Sequence, residues 1–253
     1  MKMHALSGGR LRMRRSIFEP GADRSETIEL PVSAFLMRHP QGNVLFDSGC
    51  HPSVAENAEA RWGGMAKLMT PVAPKGDTVI ENLRCVGLGP DDIDVVVCSH
   101  LHSDHCGCNS FFRKATAICH ARELAAARAP DAPQMGYVPA DWDPTLTFQE
   151  IETQHDVCGD GRIVLVPVPG HTPGTIAALV NLDRDGSFLL ASDAVSVMAT
   201  LEREVIPRNT WSTEEALASL AEIRRIAAGG ATVLCGHDDT QWRTLRKGAD
   251  AYE

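Results

Sequence analysis

Four short apolar runs in this chain each end on a histidine or an aspartate. Val95-Val96-Val97-Cys98 leads into Ser99-His100-Leu101-His102-Ser103-Asp104-His105, and residues 163–168 lead into Pro169-Gly170-His171. Residues 188–191 run into Ser192-Asp193, and residues 232–235 into Gly236-His237. A short continuous apolar run marks a strand buried on both faces. The chain is therefore constrained to a fold in which buried strand ends carry nitrogen and oxygen donors, with a small or turn residue beside each. His100 and His102 are two apart, so in an extended chain they point to one side and can share an ion. Asp104 and His105 follow a further bend and can face a second. Imidazole nitrogen and carboxylate oxygen are donors that zinc accepts at about 2.0–2.2 Å. A lone histidine after a strand is ordinarily a hydrogen-bonded loop residue, and a lone aspartate a turn or cap. Five His and two Asp at one kind of position suit two ions better, with one carboxylate bridging.

The remaining pattern mixes strands and helices, so the class is α/β in the broad, α+β sense. Residues 30–38 and 43–46 read as a hairpin around His39-Pro40-Gln41-Gly42, breaking into Asp47-Ser48-Gly49. Residues 78–86 have helical spacing, stopped by Gly87-Leu88-Gly89-Pro90. A strand is expected at 116–119, a helix at 121–129 ahead of Pro130, and a hairpin from 176–181 to 188–191 around Asp185-Gly186. Ser212-Thr213-Glu214-Glu215 reads as a capping box opening a helix with an apolar stripe of Leu217, Leu220, Ala221 and Ile226. Two stretches, 55–75 and 130–161, are less regular; loops of that length are usually functional. Their Trp62, Met65, Met69 and Trp142 leave three readings open: an acyl-chain channel, a homodimer contact and a satellite core.

The order His100-Leu101-His102-Ser103-Asp104-His105, then His171, Asp193 and His237, looks like the metallo-β-lactamase superfamily. The spacings, 171 − 105 = 66, 193 − 171 = 22 and 237 − 193 = 44, are similar to those of its N-acyl homoserine lactone lactonase branch. The resemblance extends over nearly the whole chain, through Leu30-Pro31-Val32, Phe46-Asp47-Ser48-Gly49-Cys50, Pro169-Gly170-His171-Thr172-Pro173-Gly174 and Gly236-His237-Asp238. It implies one domain over 1–253, a four-layer αββα sandwich, and two divalent metal ions. Zinc is the first expectation for the ions, with iron, manganese and cobalt open on the same donors. It further implies that His100, His102 and His171 hold one ion, that Asp104, His105 and His237 hold the other, and that Asp193 bridges. Asp47 would orient a ligand histidine from behind, a role that competes with an Asx turn.

On that resemblance the expected reaction is the opening of a lactone ring, foremost an N-acyl homoserine lactone, by a metal-bridging hydroxide. Asp104 and Asp193 would be the catalytic carboxylates, Asp104 or bulk water delivering the proton to the leaving alkoxide. The chain departs from the lactonase pattern at Ser196, where relatives usually have a tyrosine three residues after the bridging aspartate, and at Ser103, often bulky and apolar. Only Tyr137 and Tyr252 are present; Tyr137 is expected as a loop aromatic at the surface, the other reading being that it reaches the site from the long loop. The alternative within the fold is hydrolysis of another lactone, ester or thioester, as in glyoxalase II. A redox diiron relative would carry Glu at position 102, and a non-catalytic relative would lack ligands.

Composition narrows the partners. The chain has 253 residues and a formal charge of −9, which disfavours a nuclease or any protein that coats nucleic acid or anionic lipid. No segment approaches the ~20 apolar residues of a membrane span. Without a signal-peptide core in its first residues, a cytoplasmic location is expected. Most of the eight cysteines are then expected reduced, and Cys106-Gly107-Cys108 lacks the spacing of a zinc ribbon. Of the ten histidines, His4, His39, His51, His120 and His155 are left without a role.

Overall fold

The computed structural model describes residues 1–142 and 146–253. The strands, in chain order, are β1 (Lys2–Arg14), β2 (Thr27–His39), β3 (Gly42–Phe46), β4 (Thr70–Pro71), β5 (Val95–Val97), β6 (Thr116–His120), β7 (Phe148–Ile151), β8 (His155–Asp156), β9 (Ile163–Pro167), β10 (Ile176–Asn181), β11 (Ser187–Ser192) and β12 (Thr232–Cys235). The α-helices are α1 (Val54–Trp62), α2 (Val79–Cys85), α3 (Ser103–Cys106), α4 (Ala121–Ala127), α5 (Met198–Arg203), α6 (Thr213–Ala228) and α7 (Asp239–Thr244). Among the described residues the strands form two sheets, ordered β4-β1-β2-β3-β5-β6-β7 and β12-β11-β10-β9-β8.

Strand alternation builds the layers. In the first sheet Phe35, Phe46, Val97 and Ile118 face the second sheet, where they meet Ile163, Leu165, Ala178 and Leu190. Their neighbours Leu36, Leu45, Val96 and Cys119 face outward, onto Leu83 of α2 and Leu124 of α4. On the far side Ala177, Leu189 and Val233 pack on Leu220 and Ile223 of α6. This is the αββα sandwich expected from the sequence. Burying a side chain such as Phe46 or Leu165 contributes roughly 1.5–3 kcal/mol, so the inter-sheet layer and the outer layer under α2 and α4 are both major sources of cohesion.

Strand direction sets where the chemistry gathers. β3 and β5 are parallel, so Asp47 and His100, which follow them, emerge at one edge. β11 and β12 are parallel, bringing Asp193 and His237 together. β9 is two antiparallel steps from β11, so His171 emerges on the same side.

Several local expectations need correction. The first residues form a 13-residue strand, β1, paired along β2 with a bulge between Ser7 and Arg10. A Cβ on Gly49 would lie 2.5 Å from the Gly8 Cα, so this glycine pair lets the loop carrying Asp47 lie directly on β1. The stretch 55–75 contains α1, kinked at Asn57, and the stretch 130–161 contains β7 and β8. The capping box at α6 is half formed. The Ser212 hydroxyl accepts the Glu215 N–H at 3.3 Å, but the Glu215 carboxylate bonds Arg122 at 2.9 Å instead. The buried face of α6 is Ser219, Leu220 and Ile223, whereas Leu217 is exposed. No helix among the described residues is long and apolar enough to cross a membrane.

Candidate metal centre

The seven donors expected from the sequence converge. His100, His105, His171, His237, Asp104 and Asp193 are buried and His102 is half-buried. Donor atoms of His100, His102 and His171 lie within 4.8 Å of one another, as do those of Asp104, His105 and His237. The His102 Nδ1 lies 3.2 Å from the His100 Nε2 and 3.0 Å from the His171 Nε2. In the second group the His105 and His237 Nε2 atoms are 3.3 Å apart. The Asp104 Oδ2 lies 3.7 Å from the His105 Nε2 and 3.5 Å from the His237 Nε2. Asp193 spans both groups. Its Oδ2 is 3.4 Å from the His171 Nε2 and its Oδ1 is 3.0 Å from the His237 Nε2.

What lies behind each imidazole tests whether this set fits a cation. The His105 Nδ1 donates to the Asp47 carboxylate at 2.8 Å, and the His237 Nδ1 to the Pro31 carbonyl at 2.8 Å. The His102 Nε2 donates to the Met135 carbonyl at 3.0 Å. A neutral imidazole that donates at its outer nitrogen turns a lone pair inward. His102 thus presents Nδ1, and His105 and His237, once neutral, would present Nε2. Lone pairs and carboxylate oxygens gathered at these distances suit divalent cations, so the donors fit the two ions expected.

The electrostatics point the same way. Burial pushes the His171 imidazole down to about 3 and holds His100 well below the ordinary histidine range. Both are therefore neutral donors. Burial also opposes charge on His105, but Asp104, Asp47 and Asp193 outweigh it and hold that imidazole well above its usual value. His237 is likewise raised against its burial, chiefly by Asp193. Burial disfavours the Asp193 carboxylate, yet His237, His171 and His105 keep it well below the usual range. This half of the cluster demands positive charge, which cations supply.

The backbone behind the donors is strained. Asp47 and Ser192 adopt φ of +62° and +46°, conformations that cost energy for non-glycine residues and concentrate at functional sites. Both side chains meet the Ser99 hydroxyl, at 2.8 Å and 2.7 Å. Asp47 also accepts the Ser99 N–H at 2.8 Å, so it supports the chain leading to His100 while orienting His105. Asp47→Asn should weaken ion retention about 10- to 100-fold with the circular dichroism unchanged. Ion content after dialysis checks this, and full retention of both ions would remove the orienting role.

A cavity of about 350 Å³ opens above the cluster, with His102 and His171 in its lining beside Met13, Met65, Met69 and Trp211. Trp62 and Trp142 do not line it and are buried in separate apolar clusters. Tyr137 is not at the surface. Its backbone bridges His102, its ring lies 5.3 Å from that imidazole, and its hydroxyl is enclosed beside Glu123 and Thr172. Ser196 is buried with its hydroxyl 3.5 Å from the Asp193 carbonyl and does not line the cavity. Ser103, the first residue of α3, is fully buried, with its side chain beside Asp141. The sequence reading missed Ser99 and Ser192, whose signal is their position directly before His100 and Asp193. It also missed the Pro31 and Met135 carbonyls, which no residue type announces.

Comparison with known proteins agrees with this geometry. Residues 27–237 match the pattern of the metallo-beta-lactamase superfamily. The chain is 31% identical over 260 residues to an N-acyl homoserine lactonase, AttM, of Azorhizobium caulinodans, covering 100% of this chain and 99% of that one. It is 29% identical over 245 residues to an N-acyl homoserine lactonase of a Bacillus species, covering 96% and 95%. The fold superposes with a TM-score of 0.90, at 26% identity and covering 99% and 98% of the two chains, on an N-acyl homoserine lactone hydrolase with N-hexanoyl-L-homoserine bound at its catalytic metal centre. The superfamily pattern matched over residues 27–237, the two-sheet sandwich and the similarity over nearly the whole chain lead to one conclusion: this protein belongs to the metallo-beta-lactamase superfamily.

Proposed function

We propose that this chain, acting as one domain over 1–253, is a metal-dependent lactonase that opens N-acyl homoserine lactones and so quenches quorum signals. The observation that carries the reading is the His/Asp cluster set beneath an apolar cavity, in a chain similar end to end to proteins named for that activity. His100, His102 and His171 would hold one ion, Asp104, His105 and His237 the other, and Asp193 both. Bound there, two divalent ions supply Lewis acidity toward a carbonyl oxygen and bring a water's pKa toward neutrality. Zinc is the ion we favour for these nitrogen and oxygen donors.

The chain's own residues do the rest. His102 and His171 fix the end of the cavity at which the lactone carbonyl sits. Met13, Met65 and Met69 give the acyl chain a pliable apolar wall and keep water from it. Asp104, buried at the cluster, takes the proton that the attacking water gives up as its oxygen bonds to the carbonyl carbon, and passes it to the ring oxygen as the carbonyl–oxygen bond breaks. Water is consumed and a hydroxy acid forms, releasing a proton at neutral pH. All eight cysteines are unbonded, which suits a reducing compartment, and we place the protein in the cytoplasm.

A pH-indicator assay over lactones and thioesters tests the reading. Acid release from N-hexanoyl and N-decanoyl homoserine lactones, without thioester cleavage, is the expected outcome. Thioester cleavage without lactone opening would replace the lactonase with a thioesterase.

A further inference from the structure

We propose that Glu123 is a positioning residue for one ion site, tying together the two loops that carry His100, His102 and His171. The proposal rests on the reading of those histidines as one ion's ligands. Glu123 lies in the first turn of α4 and is fully buried. Its Oε1 accepts the Leu101 N–H at 3.0 Å, and Leu101 stands between His100 and His102. Its Oε2 accepts the Gly174 N–H at 3.0 Å, three residues after His171. One carboxylate therefore spans the two loops through their backbones.

The contact is close enough to dictate sequence. A Cβ on residue 174 would lie 2.4 Å from the Glu123 backbone nitrogen, so only glycine lets this loop reach the carboxylate. A third segment meets the same point. Tyr137 places its hydroxyl beside Glu123, its backbone bridges His102, and the Met135 carbonyl, two residues earlier, takes the His102 Nε2 at 3.0 Å. His102 is thus held from the Leu101 side and from the 135–137 side, with Glu123 at the junction. Among the described residues no Lys or Arg pairs with Glu123. Its charge is compensated by directed amide donors, and burying a carboxylate is costly unless such donors are fixed. An apolar side chain would leave both amides unpaired. Glu123 makes no hydrogen bond to Asp104, His105 or His237 among the described residues, so its influence falls on one ion site.

That selectivity separates positioning from bulk stability. Chelator-stripped protein is titrated with cobalt(II), read by visible absorption. Wild type is expected to take up two equivalents. In Glu123→Gln the amide can accept only one of the two backbone donors. One equivalent should then bind within about twofold of wild type and the other at least about tenfold more weakly. Glu123→Asp keeps the charge but is one methylene too short to span both amides, and the same selective loss is expected, which serves if the Gln variant does not fold. Leu124→Ala, in the same helix but packed in the outer core, should lower the melting temperature while leaving both affinities within about twofold. Wild-type affinity for both ions in the Glu123 variants would overturn the proposal, as would equal weakening of both sites matched by Leu124→Ala. Failure of wild type to bind cobalt would instead remove the ion-site reading beneath it.

Discussion

Asp193→Asn is expected to lose lactone opening by on the order of 10³-fold in kcat/KM, together with part of its bound metal. The expectation follows from the position of the two carboxylate oxygens. Oδ2 faces His171 in one group, and Oδ1 faces His237 and His105 in the other. Asparagine keeps the shape but loses the charge, and its NH₂ has no lone pair to offer a cation. One ion would lose its anionic ligand and the pair would lose its link. Metal analysis and steady-state kinetics on the same preparation check this. Two bound ions and full activity in Asp193→Asn would contradict the bridging role.

Removing the ions should cost stability as well as activity. With free ion about a thousandfold above its dissociation constant, binding stabilises the fold by roughly 4 kcal/mol. In a chain of this size that corresponds to a melting temperature about 10 °C lower after chelation. The physical source lies in the cluster itself. Asp104 and Asp193 are buried carboxylates whose compensation falls to imidazoles once cations are withdrawn. Calorimetry with and without dipicolinate measures the shift. Identical melting curves would mean the cluster holds no ion that matters to the fold.

The donors were legible in the sequence because of where they stand. Strands buried on both faces read as continuous apolar runs, and a polar residue directly after such a run has few structural uses. The ends of β5, β9, β11 and β12 all met that condition. β1 did not, because its centre is Ser7-Gly8-Gly9 and a bulge there shifts the register. Residues buried before and after the bulge, such as Ala5 and Leu11, therefore do not keep one alternation. β7 was missed because Gln149 and Glu150 are exposed on an edge strand.

The support behind the donors was less visible. Asp47 could be weighed only as one of two roles until its carboxylate was seen on His105. Tyr137 looked like a surface aromatic because its surroundings are irregular, yet the loop folds inward and buries it. Glu123, between Arg122 and Leu124 in an alanine-rich run, has the appearance of a solvent-facing helix residue. Its burial depends on Leu101 and Gly174, distant in sequence, arriving with unpaired amides. Backbone acceptors such as the Pro31 and Met135 carbonyls carry no residue signature at all.

The central claim is that this His/Asp cluster, loaded with two divalent ions, opens lactones. The most direct measurement is acid release from an N-acyl homoserine lactone as chelator-stripped protein is titrated with zinc. Activity absent at the start and rising to a plateau at two equivalents per chain is the expected result. Acid release that is undiminished in the stripped protein, or absent at every zinc level, would contradict the claim.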